Sequence, residues 1–158
     1  MTARMTVGIL FVCTGNTCRS PMAAGVMRSL VRQAGLRDAI EIASAGTAIR
    51  HADQPPSPLA IEAAARRGHD IAHHRSRALT ADDLARFTHP LAMARAHLAA
   101  MRSLASLDLA DRPRMFLMED VADPYGGTLQ DYERALDLIE AGCARLFEQI
   151  VRDRGLVV

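Results

Sequence analysis

At 158 residues, 49% of them apolar and 23% charged, the chain has the size and balance of one globular domain spanning 1–158. A formal net charge of +1 gives no reason to expect nucleic acid or an anionic membrane surface as partner. Three cysteines do not make a disulfide framework, so each is to be read as chemistry or as core.

The first five residues lead into a continuous apolar run, Val7 to Val12. That run is too short for a secretory leader or a membrane span, so a cytoplasmic protein is expected. It suits a strand buried on both faces of a parallel sheet. A polar loop containing Gly15 follows, and Ser20-Pro21 then opens an apolar-periodic stretch to Val31, with Ser20 expected at N-cap and Pro21 at N1. Gly35 would end that helix. Ile40 to Ala45 reads as a second strand and Pro58 to Arg67 as a helix stopped by Gly68. Thr80 to Asp83 resembles a capping box at the start of a short helix. Leu91 to Met93 and Met115 to Met118 are the third and fourth strands expected. Thr128 caps a long last helix whose apolar stripe runs from Leu129 through Tyr132, Leu136, Ile139 and Cys143 to Ile150. Strands alternating with helices predict an α/β fold: a single-domain, four-stranded parallel sheet with helices on both faces. Sites in such sheets lie at the carboxyl ends of the strands, which places a phosphate-binding loop after the first strand.

That loop is Cys13-Thr14-Gly15-Asn16-Thr17-Cys18-Arg19-Ser20. Successive backbone N–H groups in a tight loop leading to a helix N-terminus form an anion nest. Arg19 adds a planar fork that matches phosphate oxygens. Cys13, at the loop's first position, is expected to have a depressed pKa and to act as an in-line nucleophile on a bound phosphoryl group. Cys143 falls on the apolar stripe and reads as core. His69, His73 and His74 crowd together, but no carboxylate or cysteine spacing completes a metal site, and neither metal nor cofactor is expected.

The segment Val12-Cys13-Thr14-Gly15-Asn16-Thr17-Cys18-Arg19-Ser20-Pro21 resembles the signature loop of the low-molecular-weight protein tyrosine phosphatases. Asp123-Pro124-Tyr125 resembles the family's second signature, and Ser44 to Thr47, Pro55 to Pro58 and His74 to Arg77 resemble intervening segments in the same order. The resemblance implies phosphotyrosine hydrolysis in proteins through a phosphocysteine intermediate. Cys13 would be the nucleophile, Arg19 the oxyanion clamp and Asp123 the general acid. It also implies that Asn16, Ser20, Ser44 and His74 hold the loop in shape, and that Cys18 pairs with Cys13 under oxidation.

Thr17, with Asp123-Pro124-Tyr125-Gly126-Gly127 downstream, is closer to the bacterial branch that includes protein arginine phosphatases. The stretch 48–53 holds no Phe, Tyr or Trp, which leaves Tyr125 as the expected aromatic wall of the substrate pocket. Phosphotyrosine is therefore the first expectation and phosphoarginine the second. A non-catalytic phosphoprotein-binding module and an arsenate reductase stand further off. The first would require neither Cys13 nor Asp123, and the second needs a cysteine relay that Cys143 suits poorly. The expected partners are a phosphorylated protein and an inorganic phosphate or other oxyanion in the loop, with a weak homodimer compatible. Two departures from the family stand out. Pro90 falls in the expected third strand, which should be short or begin after it. Ala94 takes the place of a polar residue at that strand's end, which leaves local packing near the site unexplained.

Overall fold

An unbroken apolar run demands cover on both sides, and β1 (Val7–Cys13) is buried along its whole length. The computed structural model describes residues 6–158; the first five, where the reading of the N-terminus begins, lie outside the described residues. β2 (Ile40–Gly46) and β3 (His89–Ala92) flank β1, and β4 (Arg114–Met115) adds to β3, giving a parallel sheet of order β2-β1-β3-β4. Alternate β1 side chains enter different layers. Ile9 and Phe11 pack with α1 (Arg19–Gln33), α2 (Pro58–Arg66) and α5 (Leu129–Arg154), and Phe11 meets Phe116 edge-on with ring centroids 5.3 Å apart. Leu10 and Val12 face the other way, onto Leu84 and Phe87 around α3 (Ala81–Arg86) and onto Met101 of α4 (Arg95–Leu104). Helices thus cover both faces, as predicted. Among the described residues no helix is long and apolar enough to cross a membrane.

Two helices start with the caps the sequence predicted. Thr80 with Asp83 and Thr128 with Asp131 form reciprocal capping boxes. α5 closes at Gly155, whose φ of 60° is the left-handed conformation that ends helices. Its predicted stripe faces the core, with Tyr132, Leu136, Ile139 and Cys143 at most 2% exposed.

Elsewhere the structure corrects the sequence reading. α1 begins at Arg19, with Cys18 at N-cap and no side-chain cap, so Ser20 and Pro21 lie inside the first turn. The Ser20 hydroxyl is not free to cap because the loop uses it. β3 is short, one of the two outcomes expected from Pro90, and begins at His89, two residues before the Leu91 expected. Met93 N–H bonds Val12 on the β1 side and Ala92 C=O accepts from Phe116 on the β4 side. By that alternation the Pro90 nitrogen faces β4, whose pairing begins only at Leu91 opposite Arg114, so no ladder bond is lost. Thr88 Oγ1, which accepts from Gly8 N–H at 2.9 Å and donates to Gly8 C=O at 3.1 Å, ties the approach to β3 onto β1. β4 has two residues, not the four of 115–118, because Phe116 and Leu117 turn in to pack beside Gly142 of α5 and leave Met118 exposed. α4 carried no sequence signal, since Ala94 cannot cap it. The Asp120 carboxylate accepts from Arg95 N–H at 2.9 Å instead. That accounts for the tolerated Ala94.

β2 lies at the sheet's edge. Its outward Ile42 C=O accepts from Arg28 at 3.0 Å, and Gly46 is bonded on that side to Arg77 and Leu79.

Candidate active site

The loop leaves the carboxyl end of β1 beside the end of β2. Cys13 C=O accepts from Thr47 N–H at 2.9 Å and Thr14 C=O from Ala48 N–H at 3.0 Å. Gly46 permits this approach: a Cβ there would sit 2.5 Å from the Thr14 carbonyl oxygen.

Asn16 organises the loop's interior. It is fully buried with φ at 56°, a left-handed conformation that asparagine tolerates better than most residues. Its side-chain amide donates to Ser20 Oγ at 2.8 Å and to Ser44 Oγ at 3.0 Å, and its carbonyl accepts from Arg77 N–H at 3.0 Å. Its backbone C=O accepts from His74 Nε2 at 2.8 Å, so that nitrogen carries the proton. Burial, followed by nearby arginines, pushes the His74 pKa down against the bond to Asn16. The four residues expected to hold the loop in shape therefore meet in one network, buried at Asn16, Ser20 and Ser44 and half-buried at His74.

Its outcome falls on Cys13. Ser20 Oγ lies 2.8 Å from Cys13 Sγ. Because Ser20 Oγ already accepts from Asn16, its own proton is available to the sulfur, a donor that favours thiolate. Burial nonetheless dominates and pushes the Cys13 thiol above its ordinary value, while the Ser20 hydroxyl and amide, Arg19 and the Asn16 amide pull it down. The expected depression of the pKa is corrected accordingly: desolvation at 2% exposure outweighs the donors.

Arg19 is buried beneath the loop. Nη1 donates to Val121 C=O at 2.9 Å, while Nη2 lies 3.4 Å from Thr14 Oγ1 and 3.6 Å from an Asp123 carboxylate oxygen. Asp123 approaches from the far side with its side chain 55% exposed, and its other oxygen accepts from Tyr125 N–H at 3.1 Å. Cys13, Thr14, Gly15, Thr17, Arg19 and Asp123 line one cleft of about 620 Å³, with Tyr125 at its rim and 73% exposed. A larger cleft of about 720 Å³ beside β4 and α5 has no cysteine in its lining and none of the predicted site residues. The smaller one is where Cys13, Arg19 and Asp123, the expected nucleophile, clamp and acid, converge.

Cys18 is buried, its sulfur 3.3 Å from Ser57 Oγ and 3.5 Å from Tyr132 Oη. Thr17 C=O accepts from Ser57 N–H at 3.0 Å, tying the loop to the start of α2. Cys143 is core, packed against Ala23. The three crowded histidines turn to separate partners, His69 to Ser29, His73 towards Asp70 and His74 to Asn16. Among the described residues no three His, Cys, Asp or Glu side chains gather as a metal site.

One contact residue had no sequence signal. His97 of α4 is 3% exposed and places Nε2 2.8 Å from Thr14 Oγ1. It stands 83 residues from Thr14 on a helix that the sequence did not announce.

The family model described as low molecular weight phosphotyrosine protein phosphatase matches residues 8–156. A low molecular weight protein-tyrosine-phosphatase of Bacillus subtilis, YfkJ, is 31% identical over 95% of this chain and 99% of its own length. A protein-arginine-phosphatase of the same organism is 32% identical over 92% of this chain and 98% of its own length. Among solved structures, a low molecular weight protein tyrosine phosphatase from T. tengcongensis superposes with a TM-score of 0.84 at 34% identity, covering 91% of this chain and 99% of that one.

Proposed function

The chain belongs to the low molecular weight phosphotyrosine protein phosphatase family of cysteine-based phosphomonoester hydrolases, and from that premise we propose that it dephosphorylates phosphotyrosine in proteins through a phosphocysteine at Cys13. Cys13 thiolate attacks phosphorus, an S–P bond forms, and the P–O bond to the tyrosyl oxygen breaks. Arg19 and the loop amides hold the equatorial oxygens, and Asp123 as carboxylic acid gives its proton to the leaving phenolate. Asp123, now carboxylate, takes a proton from water as its oxygen attacks phosphorus. The S–P bond then breaks, returning thiolate and inorganic phosphate.

The observation that carries this reading is the chain Asn16–Ser20–Cys13, which directs a hydroxyl proton at a buried sulfur. Oxyanion binding alone needs no donor on a thiol, which disfavours a non-catalytic module. An arsenate reductase would need a further reachable cysteine, and Cys143 is fully buried. The direct test is rapid quenching during turnover of p-nitrophenyl phosphate without added metal, followed by peptide mass spectrometry. Phosphate on the Cys13 peptide is expected; turnover at a normal rate with none trapped there would defeat the mechanism.

Phosphoarginine is the second reading, favoured by the Thr17 hydroxyl in the cleft and by a wall, 48–53, that offers no Phe, Tyr or Trp. Thr17→Ile would remove that hydroxyl and add apolar surface suited to an aryl ring. Loss of one such hydrogen bond changes relative efficiency by about fivefold to 150-fold. On this reading the ratio of phosphotyrosine to phosphoarginine kcat/KM rises at least about tenfold in Thr17→Ile. An unchanged ratio leaves phosphotyrosine alone.

A further inference from the structure

His97 sits outside the loop and outside every motif, yet its buried ring meets the side chain of the loop's second residue. Nε2 is 2.8 Å from Thr14 Oγ1, while Nδ1 is buried with no hydrogen-bond partner. Burial and then Arg19 push its pKa down to about 4, so the ring is neutral near pH 7 and carries one N–H. The two tautomers have different consequences. With the proton on Nδ1, a donor is buried unbonded and Thr14 must give its own proton to the ring. With the proton on Nε2, the orphan is an acceptor, the cheaper group to leave unpaired.

We propose that His97 is a positioning residue of the phosphate loop: its Nε2–H donates to Thr14 Oγ1, so that the Thr14 hydroxyl proton is left to bond a phosphoryl oxygen in the cleft. Thr14 Oγ1 then accepts from both His97 and Arg19, and its hydroxyl becomes a further preorganised donor beside the loop amides. The same contact braces the Arg19 arm that also lies near Asp123. Nothing passes from His97 to substrate; it acts through Thr14. The inference rests on the phosphatase reading for its kinetic part only.

The kinetic test is a double-mutant cycle with p-nitrophenyl phosphate. His97→Leu keeps the volume and loses the donor, and is expected to lower kcat about fivefold to tenfold with KM within about twofold. His97→Gln, whose amide N–H can reach the Nε2 position, should restore most of the loss. In a Thr14→Val background His97→Leu should cost nothing further. An equal cost with and without the Thr14 hydroxyl, or a Gln variant no better than Leu, would overturn the proposal. The structural test uses the unmodified protein, so it is independent of whether a variant folds and of any turnover. Long-range nitrogen–proton correlation NMR of the imidazole should show the Nε2–H tautomer, and an Nδ1–H tautomer would refute it. A protein with no phosphatase activity but an Nε2–H imidazole would defeat the phosphatase reading and leave the His97–Thr14 contact standing.

Discussion

The loop at 13–20 and the turn at 123–127 face each other across one cleft, and they are built by opposite means. In the first, Asn16, Ser20 and Ser44 are buried, and their polar groups bond one another at 2.8 to 3.0 Å. In the second, Asp123 and Tyr125 are exposed, and the assigned bonds are local to the turn apart from the 3.6 Å approach to Arg19. One half fixes its donors before any oxyanion arrives, so little reorganisation is needed at the moment of reaction. The other leaves its carboxylate half-exposed with few partners, which suits the acid-then-base role proposed for Asp123. Burial and dense bonding thus fall on the half proposed to hold charge, and exposure on the half proposed to move a proton.

Substitutions can break this contrast in graded ways. Cys13→Ser leaves the network and Arg19 in place, so turnover should fall by about 10⁴-fold or more. Calorimetric titration with inorganic phosphate should still give a Kd within about threefold of the parent; loss of both would mean that the sulfur itself builds the loop. Asp123→Asn should leave the thermal midpoint unmoved and cut kcat by about 10²- to 10³-fold for poor leaving groups. With an activated aryl phosphate the loss should shrink, and a uniform loss across a leaving-group series would make Asp123 structural. Asn16→Ala should act through folding, since it strands two serines and the Arg77 amide and places alanine at a positive φ. A cost of about 2 to 4 kcal/mol by denaturant titration is expected, and Asn16→Gly, free of the backbone strain, should cost about 1 kcal/mol less. Ser20→Ala removes one donor from a thiol that burial already pushes up. The thiol pKa must then rise further, so the acid limb of the kcat/KM profile should move to higher pH, with about a tenfold loss near pH 7. A limb that stays in place would separate Ser20 from the nucleophile.

The contrast also marks what could be read in the chain beforehand. The loop was legible because its residues are contiguous and follow a strand with an unmistakable apolar run, and Asp123 was legible because Pro124 and Tyr125 mark it. Ser20 was expected both as a loop support and as a helix cap; it bonds Asn16 and Cys13 and lies past the cap position, and a sequence shows that a hydroxyl is present, not which of two claims on it wins. Pro90 was expected to make its strand short or to delay its start; the strand is short and includes Pro90, because only its unpaired side meets the missing N–H. His97 and Asp120 were not legible at all. Each acts on a partner at long range, Thr14 in one case and the start of α4 in the other, and neither belongs to a local pattern. The direction of the Cys13 shift was missed for a related reason, because the depth of burial is a property of the packed layers.

The sheet's two edges carry a consequence for life in a crowded solution. An open strand is a template on which another chain can lay itself, and long flat edges invite aggregation. β4 presents only two residues before the chain turns away. β2 is longer, but its outward carbonyl at Ile42 is occupied by Arg28 and its Gly46 end is bonded to the passing segment 77–79. Among the described residues, the bonds at Ile42 and Gly46 and the brevity of β4 shorten the stretch of edge on which a foreign strand could pair.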